Sequence, residues 1–388
     1  MGNYTILPGY TGGKTAYIPQ INSLFDGSCV KYIEPYVGGG GIFFSLPNGT
    51  YEEEWINDRN CKIANLYDVL ARKETREQAL KVLLSIEKNM DKEVAKQAFK
   101  EQKENAKPLC ISMEKMRTKT LEERLEFAKA TLWTYTQSFN QSNKGYSHSN
   151  IAPESYKQKV EKNLRNGMTR LYHNLEITSK DGIEIMKEQK SKSEIQIMAD
   201  PPYVGLYRGS SNLYDVEMAS LKEHIRLAEA MKDSKAAIVL CGYRSGIKGV
   251  PTIYDAVLGD DWKCFKIADT FKKCEKVEKG GVKQKAQEYV WTNRVPEMAK
   301  YYMSMKDYKE NLTLEEYWEK IRQLCQEWVI PPEHFREYQQ AYSATHNEKL
   351  LLSEGLMEQA KQKIKVKRKR NLIRDIIEKI TIIKSISN

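Results

Sequence analysis

Four consecutive glycines, Gly38 to Gly41, stand between two short apolar segments, and this feature most restricts the fold open to the chain. Before them, residues 29–33 read as a strand running into Glu34-Pro35-Tyr36-Val37. After them come an apolar run at 42–46 and a second strand, Trp55-Ile56-Asn57-Asp58, that ends on an acid. Glycine lets the backbone approach a ligand closely, and a helix beginning at 42 would present unpaired N–H groups. An acid about 20 residues beyond such a turn is well placed for ribose hydroxyls. Strand, glycine turn, helix, strand and acid make one nucleotide-binding half of a doubly wound α/β sheet. Each piece has a plainer reading alone: a flexible loop for the glycines, a turn or N-cap for Asn57-Asp58.

The strand pattern returns at 175–177, 195–199, 236–241, 264–268 and 288–292. The segment 195–199 runs straight into Asp200-Pro201-Pro202-Tyr203. Asp200 offers an acceptor for an N–H. Pro201 and Pro202 stiffen the chain so that a backbone carbonyl can be held as a second acceptor. Tyr203 offers a face for stacking. Together the four suit the holding of a flat, amino-bearing ring, although a strand-ending turn would use the same residues.

Between these halves, residues 71–165 carry alternating lysine and glutamate with sparse apolar positions, which predicts helices with solvated faces. Their polar stretch, 138–150, contains Lys144, Tyr146, His148 and Asn150, residue types that contact phosphates and base edges. A lysine-rich turn at 272–285 precedes the last strand. Past 297 the chain reads as helical and charged, with seven basic residues in 361–370 and an isoleucine stripe after them. A net charge of +10 favours a polyanionic partner, nucleic acid before membrane. Seven cysteines without a Cys-x-x-Cys pair argue against a zinc site or a disulfide framework. With no signal peptide and no long apolar run, a soluble protein of the cytoplasm, without a membrane partner, is expected.

Near the N-terminus, Tyr10-Thr11-Gly12-Gly13-Lys14 adds a glycine turn beside an aromatic and a lysine, without the spacing of a P-loop. In order, Gly-Gly-Lys, Glu-Pro-Tyr-x-Gly-Gly-Gly, Asn-Asp, an insertion and Asp-Pro-Pro-Tyr resemble the DNA adenine-N6 methyltransferases of the Dam type. Trp133 to Asn140, Cys241 to Ser245 and Glu288 to Asn293 are similar to further segments of that family, so the resemblance covers about residues 4 to 295.

The resemblance implies a Rossmann-like α/β fold with a seven-stranded methyltransferase sheet. Its catalytic domain would comprise residues 1–70 and 166–296, with a helical target-recognition insertion at 71–165 and a basic helical extension at 297–388. It implies S-adenosylmethionine as cofactor, held by Tyr10, Lys14, Glu34, Pro35, Gly38, Gly39, Asp58, Asp181 and Asp200. Catalysis would fall to Asp200, Pro201, Pro202 and Tyr203, acting on an adenine flipped out of double-stranded DNA. DNA contacts are expected from Lys144, Tyr146, His148 and Asn150, and no metal is expected. A cognate restriction endonuclease is a candidate partner. A monomer or weak dimer near the nucleoid of a bacterial or phage-infected cell is the expected setting. The alternatives are a methyltransferase for RNA or another planar amino group, and a DNA-binding module of the same fold without turnover.

Overall fold

Seven strands form one sheet: β1 (Lys31–Glu34), β2 (Glu53–Asn57), β3 (Leu175–Thr178), β4 (Ile195–Ala199), β5 (Ala237–Tyr243), β6 (Lys263–Phe271) and β7 (Lys285–Thr292). The structure is a computed structural model that describes residues 5–7, 9–88, 91–107, 112–138, 145–148, 152–171, 174–208, 213–271, 285–346 and 350–386, with backbone alone at 271 and 373–386. Each of the seven segments read as a strand in the sequence overlaps one of these strands, and 195–199 coincides with β4. The strand order is β3-β2-β1-β4-β5-β7-β6. β1 to β5 run parallel, and β7 is antiparallel to both β5 and β6. The chain therefore winds outward from β1 in one direction and from β4 in the other. A crevice opens at such a reversal, outside the carboxyl ends of the two strands. Among the described residues, no helix is long and apolar enough to cross a membrane.

The fold is the expected Rossmann-like α/β arrangement, with helices covering both faces. Successive residues along each central strand face opposite layers, as the two-residue repeat of a strand requires. Tyr32, Met198, Val239 and Val290 belong to one hydrophobic core. It is completed by helices Cys61–Ala71, Leu121–Thr136 and Pro153–Arg170, so helices of the 71–165 region share a core with the sheet. Their neighbours Ile33, Ile197, Leu240 and Trp291 belong to the second core, where the sheet meets helices Gly182–Gln189 and Leu221–Met231. This second core continues into helices Leu314–Gln326 and Phe335–His346 through Tyr317, Trp318, Ile321, Phe335 and Tyr338.

One expected element is absent. The run at 42–46 forms a single 3-10 turn, Phe43–Ser45, and not the α-helix that the glycine turn was expected to lead into. Pro47 is the cause, since a residue preceding proline is driven out of the helical region, and Leu46 is extended at φ −74° and ψ 136°. The glycine turn therefore has no helix N-terminus behind it.

Buried ion pairs tie the helices of 71–165 to the sheet. Asp68 receives the guanidinium groups of Arg72 at 2.9 Å and Arg117 at 2.6 Å, and also that of Arg124. Arg117 reaches on to the Ile177 carbonyl of β3 at 2.8 Å. Arg170, at the end of its helix, makes a two-pronged pair with Glu54 of β2 and donates to the Phe43 carbonyl at 3.2 Å. Both members of the Arg170–Glu54 pair are buried. Removing one would strand the other charge, which costs roughly 3–5 kcal/mol. Arg170→Ala is expected to lower unfolding stability by about that amount in urea titrations; a loss below about 1 kcal/mol, the range of an exposed pair, would refute this account.

Candidate active site

Three segments far apart in sequence meet at the carboxyl ends of β1 and β4. The Lys14 ammonium lies 2.8 Å from both carboxylate oxygens of Asp200 and 3.4 Å from Glu288 Oε1. It also donates to the Gly12 carbonyl at 2.7 Å. The Tyr203 hydroxyl donates to Glu288, its ring meets Tyr243 edge-on at 4.7 Å, and Lys14 Nζ sits 4.9 Å from its centroid. Burial lowers the Lys14 pKa, but Asp200 and Glu288 outweigh it and hold the ammonium well above the usual lysine value. Burial raises the Glu288 carboxyl, with Lys14 and the Tyr203 hydrogen bond opposing.

Around β1 and β2 the acids are held differently. Burial pushes Glu34 up to about 8; the Tyr32 hydroxyl, donating at 2.6 Å, opposes this and Asp200 adds to it. Asp58 accepts from the Gly38 amide at 3.0 Å and the Asn60 amide at 2.8 Å, yet burial still raises it to about 6. Asp181 caps helix Gly182–Gln189 by accepting from the Ile183 amide at 3.0 Å. The Tyr10 ring lies against the glycine turn. A Cβ at Gly38, where φ is +47°, would come within 2.8 Å of Tyr10, and one at Gly39 within 2.6 Å. The turn needs glycine for its own aromatic neighbour before any ligand arrives.

Two clefts adjoin here. The larger, about 870 Å³, is lined by six acids: Asp200, Asp215 and Glu217 pair with Lys14, Lys62 and Arg208, while Glu34, Asp58 and Asp181 form no ion pair among the described residues, and Arg59 lines the same wall. The smaller, about 530 Å³, is lined by the tyrosines 17, 203, 214 and 243 with Arg208 and Glu288. Lys14, Asp200 and Tyr214 belong to the walls of both.

Of the residues singled out in the sequence, Tyr10, Lys14, Glu34, Gly38, Gly39, Asp58, Asp181, Asp200 and Pro202 line the larger cleft. Tyr203 lines the smaller. Pro35 and Pro201 line neither, and the Pro35 carbonyl accepts from Asn57 Nδ2 at 2.8 Å. Tyr146 and His148 line neither cleft and are joined through hydroxyl and Nδ1 at 2.8 Å. Lys144, Asn150 and residues 272–284 lie outside the described residues.

Residues 10–245 match the model of the D12 class N6 adenine-specific DNA methyltransferases. The chain belongs to this family. Its reaction is thus methyl transfer to adenine N6 in DNA, as the sequence led one to expect. The methyltransferase is also similar to the Type II methyltransferase M1.LlaDCHI of Lactococcus lactis subsp. cremoris, at 24% identity over 234 residues, 60% of this chain and 78% of the relative. Glu288 falls beyond the family match, and sequence reasoning gave it no role. The antiparallel course of β7 explains why: it pairs Glu288 with Tyr243 at the end of β5, bringing the start of β7 to the site.

The Glu34 shift has a consequence for stability. Its folded value of about 8 exceeds the ordinary 4.5, so the folded methyltransferase keeps a proton that the unfolded chain releases. This contribution is full below pH 4.5 and is lost as pH rises through about 8. Glu34→Gln is expected to flatten the decline in urea-unfolding stability across that window; an unchanged slope would sink the assignment.

Proposed function

We propose that the larger cleft binds S-adenosylmethionine and that the smaller receives the target adenine, flipped out of the duplex, with Asp200 on the wall between them. The shared wall carries this reading: one carboxylate faces both a pocket suited to a cation and a pocket lined with aromatic faces. The larger cleft fits the cofactor. Asp58 and Asp181, which form no ion pair among the described residues, favour a sulfonium and an ammonium, and Asp58 stands where ribose hydroxyls would be accepted. When bound, S-adenosylmethionine supplies an electrophilic methyl group.

The protein's own residues prepare the nucleophile. Adenine N6 is weakly nucleophilic because its lone pair is delocalised into the ring. Accepting its N–H bonds at Asp200 and the Pro201 carbonyl localises that pair and fixes its direction, by positioning and electrostatics alone. Lys14 bridges both Asp200 carboxylate oxygens and leaves their remaining lone pairs to accept, and Glu288 offsets the lysine charge while fixing Tyr203. An adenine within a duplex cannot reach this wall, so it is turned out at a cost of about a few kcal/mol. One chain forms both clefts, which supports action as a monomer. We assign sequence reading to the 71–165 region, with Tyr146 and His148 among its contacts. The likeness to a Type II methyltransferase supports a cognate restriction endonuclease as partner.

Expression in a methylation-free host, with modification-sensitive sequencing of its plasmid, should yield N6-methyladenine in one motif. On that motif Asp200→Ala is expected to lower kcat by roughly 10²–10⁴ with the fold intact; near-normal turnover would refute the assignment. 2-Aminopurine in place of the target adenine should brighten on binding, whereas unchanged fluorescence would count against flipping. Glu288→Gln is expected to lower kcat about tenfold or more with little change in KM for the cofactor. An effect on KM alone would remove Glu288 from the positioning of Asp200 and Tyr203.

A further inference from the structure

We propose that the exposed face of the last helix, Glu354–Ile386, is a second DNA-contacting surface, with Lys361, Lys365, Arg368 and Lys369 gripping backbone phosphates without reading sequence. The helix lies beyond the family match at 10–245. Its residues 361–370 include seven basic side chains, and no acid occurs from 361 to 372.

The basic residues divide between two faces. At about 100° per residue, Lys363, Lys367 and Arg370 share one face, and the first two of them contact the body of the protein. Lys363 Nζ sits 3.2 Å from the Trp328 ring centroid, and Lys367 pairs with Glu333 at 2.8 Å. Lys361, Lys365, Arg368 and Lys369 occupy the opposite face; all seven basic side chains are exposed, but these four make no contact with the body among the described residues. Lys361 pairs with Glu358 at 3.0 Å. Among the described residues, no carboxylate pairs with Lys365, Arg368 or Lys369.

A face kept only for solubility mixes both signs of charge, and like charges four residues apart weaken a helix. Lys361, Lys365 and Lys369 stand at that spacing, so the arrangement favours an external polyanion. Four cations over about 12 Å of helix approach the density of a DNA strand, one phosphate per ~3.4 Å of axis.

Hydrogen bonds connect the ridge's helix to the cleft region. Helix Leu221–Met231 begins three residues after Met218, which lines the larger cleft, and the Leu221 amide donates to Glu337 at 2.7 Å. One turn earlier, Glu333 holds Lys367. The C-terminal helices pack on the second core and the 71–165 helices on the first. A duplex over the clefts would thus meet the insertion on one side and the ridge on the other.

The test uses the full chain with Lys361, Lys365, Arg368 and Lys369 all replaced by glutamine, which keeps helix propensity. Binding to a random-sequence duplex is followed by anisotropy across salt. The slope of log K against log salt should fall by about 3 to 4, making the wild-type advantage on the order of a hundredfold larger at roughly 50 mM than at 200 mM salt. Maximal turnover at saturating DNA should not change. An unchanged slope overturns the proposal, as does a loss confined to RNA or a change in sedimentation with DNA binding intact. Should the fourfold variant lose helix signal, Lys365→Gln and Lys369→Gln singly, each expected to lower the slope by about 0.9, carry the test. These readouts need no methylation, so failure of the Asp200 assignment would leave them standing.

Discussion

The buried ammonium of Lys14 is the interaction on which the site depends. Asp200 and Glu288 approach one another from β4 and β7, and two carboxylates brought together away from water repel and lose hydration. Lys14 lies within 2.8 Å of the first and 3.4 Å of the second, so one cation makes their juxtaposition tolerable. It also fastens the N-terminal segment across the carboxyl ends of the strands. Without it, Asp200 loses the cation that both of its oxygens contact, and Glu288, which holds Tyr203, loses its counter-charge.

Sheet topology determines which residues can join that cluster. Parallel strands deliver only their carboxyl ends to the crevice, which accounts for Glu34 at the end of β1, Asp58 after β2 and Asp200 after β4. The reversed β7 delivers its beginning, and Glu288 comes with it. A sheet of parallel strands alone would have placed this acid at the opposite edge.

That topology also decides how much was legible in the sequence. The strands of the central sheet announce themselves because burial on both faces makes them continuous apolar runs, as at 195–199. The acids that follow them are legible for the same reason. Glu288 was not, since its position depends on a pairing direction that local residues do not encode. The helix expected after the glycines failed on a local signal that was present, Pro47, whose effect on Leu46 outweighed the apolar run. Pro35 sits next to Glu34 in sequence but lies in the turn past the strand end, where its carbonyl is taken up by Asn57.

Charge is sorted by depth in this protein. The chain carries a net +10, yet the larger cleft is walled by six acids, three of them paired with Lys14, Lys62 and Arg208. On the proposed assignment this division serves both substrates. A cationic methyl donor is drawn toward two of the acids left unpaired, Asp58 and Asp181, which also disfavour phosphate in the same cleft. Only an uncharged base can then enter, through the tyrosine-lined cleft whose wall is Asp200. Attraction for the polymer must therefore come from outside the clefts, from surfaces that can hold phosphates without drawing them in. Two unpaired acids within a basic shell thus favour the uncharged part of the DNA at the chemistry, before any base is read.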